Sequence, residues 1–203
     1  MAEPVRIAAE TVKRLREITG AGMMECKKAL QEAGGDMEEA QGILRKKGLA
    51  GIDKRRSRQA SEGVIESYIH PGSRVGVLVE VNTETDFVAR TDEFKRLARE
   101  IAMQVAATSP RWVSREEVPE EVVGGERKIY EEQARIGGKP DSVLPKIVDG
   151  MLEKFYKQTV LLDQAYIRDD SKTVTDLVSE VAAKVGENVV VRRFARFGLG
   201  EEL

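Results

Sequence analysis

The spacing of apolar positions changes along the chain, and the changes mark out its parts. Val5, Ala8, Val12 and Leu15 recur at helical spacing until Thr19-Gly20-Ala21-Gly22 interrupts them. A second helix is predicted from about Met23 to Ala33, stopped by Gly34-Gly35. A third begins with Asp36 as N-cap and Glu39 three residues on, and is closed by Gly48. Ala29, Leu30, Ala33, Ala40, Ile43 and Leu44 supply a core for this unit, too small to make it more than marginal alone. Period two then takes over. Val64 to His70 and Val75 to Asn82, joined through Pro71-Gly72, read as a hairpin rich in β-branched residues. Val75, Val77, Val79 and Val81 point one way and Gly76, Leu78, Glu80 and Asn82 the other, so one face is apolar and the other mixed.

From Thr91 the period is helical again: Phe94, Leu97, Ala98, Ile101, Ala102 and Val105 form one stripe that ends before Pro110. Pro110 to Gly125 reads as a loop or short helical piece. A helix near Glu126 to Arg135, a break at Gly137-Gly138 and a helix carrying Leu144, Ile147, Met151, Leu152 and Phe155 follow. Val174, Leu177, Val181 and Val185 mark another helix between a Thr173 N-cap and a Gly186 C-cap. Alternation from Val189 to Arg196 adds a third strand to the hairpin. The predicted fold is α+β: a three-helix unit over 1–52, a basic linker over 53–61 containing Lys54-Arg55-Arg56-Ser57-Arg58, and a helix-rich domain over 62–203 with a small three-stranded antiparallel sheet.

Composition narrows the chemistry. Every apolar run is broken by charge well short of the roughly 20 residues of a bilayer helix, and Met1 to Arg6 has neither an apolar core nor a cleavage site. A single cysteine, Cys26, forms no disulfide within the chain, so a cytoplasmic location is expected. His70 is the only histidine, which removes zinc clusters and Ser-His-Asp triads, and no phosphate-cradling glycine motif occurs. No cofactor, metal ligand or catalytic residue is expected. Two rival readings remain on the residues alone. Asp169-Asp170 and Glu84 with Asp86 offer paired carboxylates for acid-base chemistry. Lys54 to Arg58 and Arg192-Arg193 offer phosphate contacts, but 33 basic against 35 acidic residues, a net charge of -2, argue against direct nucleic-acid binding.

The junction between hairpin and helix, Glu80-Val81-Asn82-Thr83-Glu84-Thr85-Asp86-Phe87-Val88-Ala89-Arg90, sets a carboxylate beside a large aromatic. With only 5% of residues aromatic, Phe87 is either a plug over the core or an anchor for a partner.

Two long segments, Leu15-Arg16-Glu17-Ile18-Thr19-Gly20-Ala21-Gly22-Met23-Met24-Glu25-Cys26-Lys27-Lys28-Ala29-Leu30 and Thr85-Asp86-Phe87-Val88, resemble the signatures of the elongation factor Ts family. The likeness continues to Gly186-Glu187-Asn188-Val189-Val190-Val191-Arg192-Arg193-Phe194 and covers essentially the whole chain; Thr83 departs from the small Cys or Ser often found there. The three-helix unit likewise resembles ubiquitin-associated domains in shape. The resemblance implies a non-enzymatic guanine nucleotide exchange factor that binds elongation factor Tu carrying GDP, with Thr85, Asp86, Phe87 and Val88 pushed in near the GTPase's magnesium. It also implies that Arg16, Met23 and Met24 touch a helix of the GTPase; on spacing alone, the methionines could equally cover the small core and Arg16 could be a solvated charge. Longer members carry two copies of the core subdomain and an inserted helical hairpin. One apparent copy here leaves a sheet face that either the chain's own helices or a second chain must cover, and a homodimer is expected, with Phe194 and Phe197 as interface candidates. Core packing explains Phe194 equally well.

Overall fold

The computed structural model describes residues 7–19, 21–138 and 140–201, and for 47–56 the course of the backbone alone. Val5, Gly20 and the N-terminal hexapeptide read above lie outside the described residues, as do the side chains of Lys54 to Arg56.

Three helices open the chain: α1 (Ala9–Thr19), α2 (Met23–Glu32) and α3 (Met37–Arg56). Their facing positions Val12, Leu15, Cys26, Ala29, Leu30, Ala33, Ala40 and Leu44 are buried together, which makes Cys26 a small core residue. Asp36 Oδ1 accepts the Glu39 amide at 2.7 Å, the expected cap. Gly48 does not close α3. The helix runs on to Arg56, so the irregular part of the expected linker shrinks to a few residues before the first strand. An interior glycine costs only about 1 kcal/mol against alanine, too little to stop a helix that lies against a neighbour, here the helix α8 (Val174–Val185).

Strands β1 (Glu62–Ile69), β2 (Val75–Thr83) and β5 (Val190–Gly198) form the antiparallel sheet, with β2 in the centre. The register sets Val64 opposite Val81 and Tyr68 opposite Val77, and on the other side Phe194 opposite Val79. Val77, Val79 and Val81 are buried beneath α5 (Asp92–Thr108) and α8, together with Phe94, Leu97, Ala98, Ile101, Ala102 and Val105 from α5. The valine face is therefore covered by the chain's own helices, against the expectation that a second chain would be needed there. The mixed face is the open one: Ile65, Ile69, Leu78 and Phe197 lie exposed on it, and Phe194 points inward to the core.

Between α5 and α8 the chain forms α6 (Glu120–Ile136) and α7 (Leu144–Thr159), linked antiparallel: Arg127 pairs with Asp149 while Val122 and Val123 share a cluster with Phe155 and Tyr156. α6 starts well before the predicted Glu126. Pro119 acts as its N-cap, and Gly124-Gly125, expected at the end of a loop or short helical piece, sit inside it. The interior Gly150 of α7 is similar, with open space where a Cβ would stand. Gly150→Ala should therefore raise stability by about 0.5–1 kcal/mol by restricting the unfolded chain, seen as a higher midpoint in scanning calorimetry; a lower midpoint would contradict the open geometry.

A short pair, β3 (Ala165–Tyr166) with β4 (Asp169–Thr173), was not foreseen. It is fastened to α5 by the buried Gln104, whose Nε2 donates to the Ala165 carbonyl at 3.1 Å and whose Oε1 accepts the Ile167 amide at 2.9 Å.

Candidate partner-binding site

β2 ends at Thr83, and two residues later the chain turns into α4 (Asp86–Ala89), a single helical turn that leads through Arg90-Thr91 into α5. Thr85 is its N-cap, with its hydroxyl oxygen facing the Val88 amide at 3.5 Å. Ala89 and Val88 face the core, which fixes the side of the turn that is hidden. Phe87 takes the opposite side and is 78% exposed, so the plug reading fails and the aromatic stands free on the surface. Asp86 is half-exposed and pairs with Arg90 at 2.8 Å one turn on. Thus Thr85 and Val88 belong to the base of the projection, and Asp86 and Phe87 to its accessible part.

The base is held by a residue more than a hundred positions away. Gly186 ends α8 in the left-handed region at φ 77°, a conformation that redirects the chain without a Cβ clash and brings Glu187 under the turn. Glu187 Oε2 accepts from the Thr83 hydroxyl at 2.8 Å and from the amides of Glu84 and Thr85 at 3.1 and 3.0 Å. Its Oε1 accepts from the Thr85 hydroxyl at 2.6 Å. Burial by itself pushes the Glu187 carboxyl up, but the hydrogen bonds from Thr85, Thr83 and the two amides outweigh it and hold the group below its ordinary value. Thr83, the departure from the family's small residue, is buried and spends its hydroxyl here. Glu84 returns a bond, accepting the Asn188 amide at 2.7 Å, and Asn188 Nδ2 donates to the Arg58 carbonyl at 2.9 Å. The connection from the three-helix unit is thereby tied to the same knot.

Arg16, Met23 and Met24 form the other group, on α1 and α2. All are exposed, Met24 at 62%, and neither methionine belongs to the cluster that fills the three-helix unit. They do not cover that core. Ile18, exposed at the end of α1, adds an apolar residue that the sequence reading passed over. This group lies on α1 and α2 and the Phe87 projection on α4, over different apolar clusters.

Several of the residues behind the rival readings are engaged elsewhere. Glu84 belongs to the knot, and Asp169 accepts from the hydroxyl and amide of Ser171, which holds its carboxyl below the ordinary value. Arg193 pairs with Glu80 at 2.7 Å and Arg58 faces Glu84 at 3.5 Å, which neutralises part of the basic surface. Among the described residues, no group of three or more acidic, histidine or cysteine side chains could hold a metal, and no helix is long and apolar enough to cross a membrane.

A family model described as elongation factor TS matches residues 8–201. The chain is 60% identical over 195 residues to elongation factor Ts of Thermoanaerobacter sp. (strain X514), covering 96% of each protein. It is 57% identical over 197 residues to elongation factor Ts of Coprothermobacter proteolyticus, covering 97% of this chain and 100% of that one. Against elongation factor Ts of Carboxydothermus hydrogenoformans the identity is 58% over 197 residues, covering 97% and 91%.

Proposed function

The chain belongs to the elongation factor Ts family of translation elongation factors, and from that premise we propose that it is a guanine nucleotide exchange factor acting on elongation factor Tu in the cytoplasm. It catalyses no covalent step. The observation that carries the reading is the free-standing Phe87 on an anchored single turn, with Asp86 beside it. An exposed aromatic held on a rigid base loses little conformational entropy when it enters a partner, which is what a wedge requires.

The wedge works through charge. In the GTPase, a magnesium ion offsets much of the charge of the diphosphate, so GDP binding depends on the metal's ligands staying in place. Phe87 and Asp86, pressed between the elements that support those ligands, shift them and weaken the hold on GDP. Arg16, Met23 and Met24 give a second grip, in which the two flexible thioethers adapt to an apolar helix face. Because the two bindings are linked, the factor and GDP lower each other's affinity by the same ratio, and nucleotide rebinding expels the factor.

The factor acts as a homodimer. The support is the open sheet face, where Ile65, Ile69, Leu78 and Phe197 form an apolar surface on a single-copy core. No direct nucleic-acid contact is involved.

Stopped-flow release of a fluorescent GDP analogue from elongation factor Tu tests the central reading. Release should accelerate with added protein and saturate; a folded chain that leaves the release rate unchanged overturns it.

A further inference from the structure

We propose that Glu187 is a positioning residue for nucleotide exchange, holding the turn at Thr83 to Thr85 so that Phe87 stands out toward the partner. The inference rests on the reading of Phe87 as the wedge. A four-residue helix cannot set its own orientation, because one turn of helix is unstable alone, and α4 hides only Ala89 and parts of Val88 and Asp86. Thr91 holds its far end, donating its hydroxyl to the Val88 carbonyl at 2.7 Å, and its near end is held by the residues that precede it. Those residues present four donors to one side chain: the Thr83 and Thr85 hydroxyls and the Glu84 and Thr85 amides.

The chemistry of this set selects a carboxylate. Hydroxyls can rotate, but the two amides cannot, and an ionised Glu accepts at both oxygens with about four lone-pair sites. A Gln would offer one oxygen and turn an NH2 group toward one of the donors. The chain of consequence is short. The Thr85 hydroxyl donates to Glu187 Oε1, oxygen to oxygen at 2.6 Å, which leaves lone pairs of the Thr85 oxygen to face the Val88 amide at the start of α4. The Asn188 amide donates to the Glu84 carboxylate at 2.7 Å, so the two segments brace each other in both directions. Glu187 acts through where it puts Phe87.

The test compares wild type, Glu187→Gln, Phe87→Ala and the double variant. Four quantities are read: the saturating rate of GDP release from elongation factor Tu, the half-saturating concentration, the melting midpoint and amide hydrogen exchange. Glu187→Gln should lower the saturating rate roughly tenfold, the scale of one lost hydrogen bond to a charged group, with a much smaller change in half-saturation. Exchange of the Glu84 and Thr85 amides should quicken while that of α5 does not. In the Phe87→Ala background, Glu187→Gln should cost nothing further. Equal losses in both backgrounds would mean that Glu187 supports the fold at large, overturning the proposal. So would an unchanged Glu187→Gln rate beside a slow Phe87→Ala. Phe87→Ala releasing GDP as fast as wild type overturns the wedge reading itself, and with it any role for Glu187 through Phe87.

Discussion

Phe87→Ala is expected to cut the acceleration of GDP release roughly 30-fold or more, the scale of an interface anchor whose truncation costs at least about 2 kcal/mol. The same variant should melt with the wild type. Phe87 is 78% exposed, so its removal gives up almost no buried surface, and substitutions at such sites fall within about 0.5 kcal/mol of neutral. The contrast with Phe94, seven residues later, makes the point. Phe94 is wholly buried under the sheet, and truncations of that kind belong to the class that costs about 3–5 kcal/mol. One aromatic is placed for the fold and the other away from it. Asp86→Ala should also slow release, while losing only the exposed i,i+4 pair with Arg90, about 0.3–0.5 kcal/mol. Saturating stopped-flow rates and melting curves on the same preparations check both variants. A Phe87→Ala protein that exchanges normally, or one that exchanges poorly because it has partly unfolded, would remove the wedge from the account.

What the sequence made legible follows from how each feature is encoded. α5 and β2 repeat their apolar positions at fixed periods, and their buried faces are those the periods mark. The caps at Asp36 and Thr173 are local as well, since donor and acceptor are three residues apart. Local signals misled where packing overrode them. Gly48 reads as a stop, yet α3 runs through it, and α6 takes in Gly124-Gly125 from the expected loop, because neighbouring helices supply more than a glycine withdraws. β3 and β4 left no pattern at all: Asp169-Asp170-Ser171 has turn composition, and the pair is held by Gln104, some sixty residues earlier. The site divides the same way. Met23, Met24 and Phe87 could be singled out as residues but not oriented, and only the fold shows that Phe87 does not plug the core. Glu187 was visible only as part of a motif. Its partners lie 102 to 104 positions away, and no spacing rule reaches that far.

The open sheet face carries the other large expectation. Ile69 and Phe197 flank Gly76, whose missing side chain leaves Ile69 lying across the strand, with Leu78 next along β2. The ion pair of Arg193 with Glu80 bounds this apolar area toward the far end of the strands. A surface of this kind, apolar in the middle and charged at one edge, can meet its own copy across a two-fold axis, and every residue then acts twice. Fully burying a phenylalanine contributes about 1.5–3 kcal/mol, and Phe197 has 56% of its surface left to bury, so removing it from both copies should cost about 2–3 kcal/mol of association. Phe197→Asp should therefore weaken the dimer roughly 30- to 150-fold through lost burial and further through two facing charges, enough to yield monomers at micromolar concentration. The monomer should stay folded, because Phe197 is 56% exposed within its own chain and the core beneath the sheet is filled by Phe194 and the valines. Sedimentation equilibrium of wild type and variant decides it. A wild type that sediments as a monomer, or a Phe197→Asp protein that remains dimeric, would mean that this face is not where two copies meet.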